Sequence, residues 1–150
     1  MPSLPPFVDD IERGQRINNL RVAMAGTGQD VVILTPSANM RYFLGQTFYE
    51  RERFHGAIIT SDRAIFICPK FEDTAVTARL AVPMEMAFWE EHENPYALVA
   101  AILADRGVKL CSLDTNCSYG HASQIFDVLT SLNQPVRYGS ANSVISPLRT

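Results

Sequence analysis

No apolar run in this 150-residue chain approaches the length needed to span a bilayer, which takes ~20 residues as a helix. The opening residues, Met1-Pro2-Ser3-Leu4-Pro5-Pro6, lack the charged region and apolar core of a secretory signal. Neither sign of charge dominates: thirteen Lys and Arg stand against sixteen Asp and Glu, a formal charge of -3. Such a balance does not draw phosphate backbones or anionic membranes over long range, and no basic stripe interleaved with aromatics suggests nucleic acid. Cysteine is scarce. Cys68, Cys111 and Cys117 cannot all pair within one chain, which reads as reduced thiols and a cytoplasmic protein. The interval between Cys111 and Cys117 is not a zinc spacing, and no second Cys or His pair completes a set of four. Cys68 and Cys111 sit in apolar runs, where a thiol acts as a small hydrophobe.

What is present suits one compact domain: 47% of the residues are hydrophobic, enough to bury a core. Residues 9–25 read as a helix with Ile17, Leu20 and Met24 on one face, stopped by Gly26 and Gly28. Val31-Val32-Ile33-Leu34 is a wholly apolar run, hence a buried strand. Pro36 cannot extend its ladder, Asn39 can cap a one-turn helix over residues 40–44, and Gly45 can end that helix in a left-handed conformation. Two apolar runs, residues 57–60 and 64–68, flank Ser61-Asp62-Arg63 and predict a hairpin. Residues 70–80 follow as a helix and 85–89 as a weaker strand. Asn94-Pro95 caps a helix whose face is Tyr96, Val99, Ala100 and Leu103, closed by Gly107. Residues 110–113 form another strand. Ser118 caps a helix with Ala122, Ile125, Phe126, Leu129 and Leu132 on one side, and residues 135–138 read as the last strand. Strands alternating with helices predict an α/β domain with a mixed, mostly parallel sheet and flanking helices.

The order Pro36-x-x-Asn39-x-Arg41-Tyr42-x-x-Gly45 resembles the first signature of the creatinase/prolidase amino-terminal domain, the non-catalytic half of Xaa-Pro metallopeptidases. Further landmarks stand in the order that family shows: the helix of residues 16–24, the charged Glu50-Arg51-Glu52-Arg53, the step Cys68-Pro69-Lys70-Phe71-Glu72, the acidic Trp89-to-Tyr96 connection, and the ending Ile145-Ser146-Pro147-Leu148-Arg149-Thr150. The resemblance implies a sheet of ribonuclease-H-like topology over residues 9–139, after a flexible leader over residues 1–8. It implies that residues 140–150 link toward a catalytic domain that lies beyond Thr150. That missing domain would hold two divalent metal ions (Mn, Co or Zn) and act on Xaa-Pro peptides, so this chain alone is expected to be inactive and to hold no metal. The resemblance also implies a homodimer in which one subunit's loop before the hairpin trims its neighbour's substrate site. Arg53 is the positional match to a substrate-binding arginine there, with Phe48, Tyr49 and His55 as the wall of the pocket. Arginine suits the role because its planar fork holds a carboxylate through two parallel bonds.

Other motifs read more plainly. Arg51 and Arg53 can instead pair with Glu50 and Glu52 on the surface. Glu90, Glu91 and Glu93, with His92 among them, are a solvated connection, with a weak cation site as the minor alternative. His55 and His121 read as ordinary surface or boundary histidines, and Arg41 and Tyr42 as structural residues near the sheet edge. Gly26-Thr27-Gly28 follows a helix rather than a strand, the reverse of a dinucleotide loop, and Ser118-Tyr119-Gly120 is not a nucleophile elbow. Two rival classes stay open: a stand-alone domain that binds a small ligand in a cleft at its strand ends, and a complete small enzyme whose acids converge in space.

Overall fold

A computed structural model describes residues 10–45, 53–80, 82–104, 106–132 and 136–149. Among these residues, six strands form one sheet in the order β4-β3-β2-β1-β5-β6: β1 (Val31–Leu34), β2 (Gly56–Ile59), β3 (Ala64–Pro69), β4 (Glu85–Trp89), β5 (Leu110–Leu113) and β6 (Arg137–Ser140). β1 pairs parallel with β5, β5 with β6 and β3 with β4, while β2 runs antiparallel to both of its neighbours. The expected mixed, mostly parallel sheet is what forms, and the β2–β3 hairpin is the source of the reversed strand.

The alternation of side chains along a strand splits the core into two layers. Val32 and Leu34 of β1 face α1 (Asp10–Thr27), α2 (Ala38–Leu44), α3 (Asp73–Arg79) and α6 (Asn142–Arg149). Val31 and Ile33 face α4 (Pro95–Ala104) and α5 (Tyr119–Thr130). All four β1 residues are therefore buried, as an apolar run without alternation requires. The face of α1 is the one the spacing gives: Ile17, Leu20 and Met24 are buried, and together contribute on the order of 6 kcal/mol at about 2 kcal/mol for each buried apolar side chain.

Most boundaries follow the local signals. Gly28 and Gly107 take positive φ just beyond α1 and α4. Asn94 Oδ1 accepts from the amides of Tyr96 and Ala97, and Pro95 opens α4. Ser118 caps α5. Four details differ from expectation. Ser37 caps α2 and Asn39 lies inside the helix, because Ser37 Oγ accepts from Met40 N and frees the asparagine for a tertiary contact. Residues 70–80 divide into a 3-10 turn, Lys70–Glu72, and then α3. The last strand lies two residues later than expected, in register with β5. Residues 142–149, part of the segment expected as a link, form α6, which packs on α1 with Val144 and Ile145 buried. No helix among the described residues is long and apolar enough to cross a membrane.

Candidate functional site

The β2–β3 register places Gly56 opposite Ile67, so the residue before β2 lies beside the exit of β3 and the 3-10 turn that follows. His55 is consequently buried, at 5% exposure, with Nε2 2.8 Å from Glu72 Oε2 and Nδ1 3.1 Å from the Arg53 carbonyl. Trp89 Nε1 donates to the Phe54 carbonyl, tying this entry strand to β4. Arg53 turns outward. Its Nε lies 2.8 Å from Glu91 Oε1 and its guanidinium 5.2 Å from the Phe71 ring centre. Glu91 stands thirty-eight residues along the chain, while Glu50, Arg51 and Glu52, the other members of the expected surface pairs, lie outside the described residues. Both members of the pair are more than half exposed, so the pair contributes only about 0–1 kcal/mol. Phe48 and Tyr49 lie outside the described residues.

Of the surface or boundary positions expected for His55 and His121, both take the boundary one: each sits at the start of an element and is buried. His121, in the first turn of α5, is 6% exposed, and its Nδ1 is 2.6 Å from the Tyr96 hydroxyl, against the Phe54 ring. Tyr42 is on α2, which follows a central strand, not at the sheet edge. Its hydroxyl donates to the Leu148 carbonyl, and the Arg16 guanidinium lies 3.9 Å from its ring centre while Nη1 donates to its carbonyl. Glu90, Glu91, His92 and Glu93 are exposed.

A second constellation sits at the carboxyl ends of β1 and β5. Asp114 follows β5 directly, and its amide extends the ladder by donating to the Ile33 carbonyl. The carboxylate is 2% exposed and fully engaged. Oδ2 accepts from Thr35 N (3.2 Å) and Ser37 Oγ (2.7 Å), and Oδ1 from Asn39 Nδ2 (2.9 Å) and Asn116 N (3.0 Å). Asn39 passes the chain outward, since its Oδ1 accepts from Arg149 Nη1 at 2.6 Å. Beside this network lies a cavity of about 300 Å³, lined by Asn39, Thr115, Asn116, Asn142, Ser146 and Arg149 over Ile145. Sequence reasoning missed Asp114, Asn116, Asn142 and Arg149. The available signal was an acid and an amide placed straight after an apolar strand.

Among the described residues, no group of three or more His, Cys, Asp or Glu side chains converges to hold a metal ion, so paired divalent cations find no ligand set there. The three cysteines are thiols, none joined to another in a disulfide. Burial pushes the thiols of Cys68 and Cys111 up to about 12, with Glu72 and Asp73 adding to the effect at Cys68, the opposite of what an activated thiolate needs.

The family model described as the creatinase/prolidase N-terminal domain matches residues 16–150. Solved structures share the fold. A dipeptidase PepE from Mycobacterium ulcerans superposes with a TM-score of 0.82 at 20% identity over 96% of this chain, and a prolidase from Thermococcus sibiricus with 0.76 at 21% over 95%. This chain spans 38% and 37% of those two proteins. The creatinase/prolidase N-terminal domain of an X-Pro dipeptidase from Streptococcus pyogenes, a domain on its own, gives 0.73 at 12% identity and is covered over 98% of its length by 89% of this chain. No curated protein matches the sequence.

Proposed function

The chain belongs to the creatinase/prolidase N-terminal domain family, and from that premise we propose that it is the non-catalytic, substrate-shaping part of a homodimeric Xaa-Pro metallopeptidase. The observation that carries this reading is the match over residues 16–150 to a domain that occurs within dipeptidases and prolidases of much greater length. The rim before β2 supplies the means. Arg53 is held outward by an exposed carboxylate on the same chain, and its backbone is fixed by His55, which is pinned between Glu72 and the Arg53 carbonyl. A guanidinium so placed exchanges Glu91 for the carboxylate of a short peptide presented by a second subunit. By the family resemblance, Phe48 and Tyr49 would complete the wall of that site. A neighbour-reaching loop requires a two-fold pair, the commonest closed assembly.

The test has two arms. The chain alone, given manganese or cobalt and a proline dipeptide, is expected to show no turnover, and turnover surviving stringent purification refutes the accessory role. In a protein that joins this domain to the metal-binding one, Arg53→Ala should raise KM about tenfold with little change in kcat, as expected for lost uniform binding. An unchanged KM for every dipeptide returns Arg53 to a surface charge. One observation favours a second reading, a stand-alone small-ligand module: the cavity at the carboxyl ends of β1 and β5 lies wholly within one chain.

A further inference from the structure

The cavity beside Asp114 occupies a position that the topology singles out. β1 and β5 are adjacent and parallel, but the chain leaves β1 toward α2 on one face of the sheet and leaves β5 toward α5 on the other. Such a divergence opens a crevice at the strand ends, the general ligand position in open α/β sheets. We propose that this crevice is a binding site for a compact monocarboxylate carrying one further hydrogen-bonding group, the class of a short hydroxy acid. It is separate from the Arg53 rim, and the proposal holds whether the domain works alone or beside a catalytic one.

The chemistry of the wall gives the sign. The nearest acid, Asp114, has both oxygens occupied by four donors of its own chain. None of the lining residues among those described is acidic, and the one charged group among them is Arg149. Asn39 takes Arg149 Nη1, and the Tyr42 ring lies 5.7 Å from the guanidinium carbon. The guanidinium is thus held at the cavity from two sides, and its planar fork matches a carboxylate. Thr115, Asn116, Asn142 and Ser146 add neutral hydroxyl and amide groups that suit a hydroxyl or carbonyl on the same ligand. A volume of about 300 Å³ is at the low end for ligand cavities, which selects a small molecule.

The experiment is an NMR titration of the full chain with acetate, lactate and inorganic phosphate at constant ionic strength. Lactate is expected to shift the Asn116 and Asn142 side-chain amides and Arg149 Nε in a saturable way, with a Kd of about 1–10 mM, the range small ligands reach. Acetate should bind more weakly at the same residues. Arg149→Met should weaken binding by about tenfold or more, Arg149→Lys should restore only part of it, and Asn142→Ala should remove the preference for lactate over acetate. Arg53→Ala, at the other site, should leave the lactate Kd at this crevice unchanged. Each variant is checked for native amide dispersion, and Asn142→Ala, at an exposed position, provides a test independent of the Arg149 contacts. Absence of a saturable shift, saturation by phosphate alone, or shifts that persist in Arg149→Met overturn the proposal.

Discussion

Replacing Asp114 separates two costs that are usually confounded: loss of a charge and loss of acceptors. The carboxylate accepts four hydrogen bonds, of which those from Thr35 N and Asn39 Nδ2 are buried. Asp114→Ala orphans all four donors. The two buried ones cost about 1–3 kcal/mol each, and the part-buried Ser37 hydroxyl and Asn116 amide recover some bonding to water. The expected loss is therefore about 4 kcal/mol, a large share of the ~5–15 kcal/mol available to a domain. Asp114→Asn keeps the shape and one acceptor oxygen. Its amide group must then face a donor on one side of the site. Turned toward Oδ2, it meets the Ser37 hydroxyl, which can rotate to accept, and the Thr35 amide, which cannot. One buried donor is left unpaired, for a loss of about 2 kcal/mol. Urea denaturation reads both variants, with midpoint shifts at constant slope reporting stability alone. Asp114→Asn at or above the parent's stability, or an Asp114→Ala loss under about 1 kcal/mol, would show that the network does not hold the strand ends together.

Three further outcomes follow from local geometry. Gly45 ends α2 at φ 78° with its amide on the Arg41 carbonyl, so Gly45→Ala should cost about 1–2 kcal/mol in thermal or urea unfolding; a neutral result would mean the cap relaxes freely. A Cβ on Gly56 would lie 2.6 Å from the ring of Phe54, which is 1% exposed, and Gly56→Ala should destabilise by about 1–3 kcal/mol through overpacking, whereas a drop near zero would place that ring in a roomier site. The thiols of Cys68 and Cys111, raised to about 12 by burial, stay protonated in the native state where the unfolded chain ionises near pH 8.5. Their contribution is complete below that value and is lost as pH rises toward 12, because the unfolded state then binds fewer protons. Urea midpoints should therefore fall between about pH 8 and about pH 11, less steeply in Cys111→Ala; an identical slope in that variant contradicts the assignment.

The fold was legible where one local signal decided the outcome. The unbroken Val31–Leu34 run, the Asn94-Pro95 cap, the Ser118 cap and the Ser61-Asp62-Arg63 turn each left the backbone little choice, and the elements formed there. Misreadings arose where a tertiary partner outbid a local preference. Asn39 is a good cap by propensity, but a buried carboxylate seventy-five residues away claims its amide, and Ser37 caps instead. Residues 142–149 look polar in sequence, yet Val144 and Ile145 recur at adjacent positions of one helical face and fasten it to α1. At the candidate sites, residue types were readable and directions were not. Arg53 and His55 are two residues apart and joined through the Arg53 carbonyl, but one faces water and the other a half-buried glutamate. The Asp114 network joins residues 35 to 149, and no spacing rule connects positions that far apart.

The bond from the Tyr42 hydroxyl to the Leu148 carbonyl, with Arg149 on Asn39 one residue later, makes the short signature helix a bracket for the chain's far end. Position and tilt of those closing residues are thereby dictated by a segment more than a hundred positions upstream. Loosening Tyr42 or Asn39 would re-aim everything the terminal helix touches while leaving the sheet itself in place.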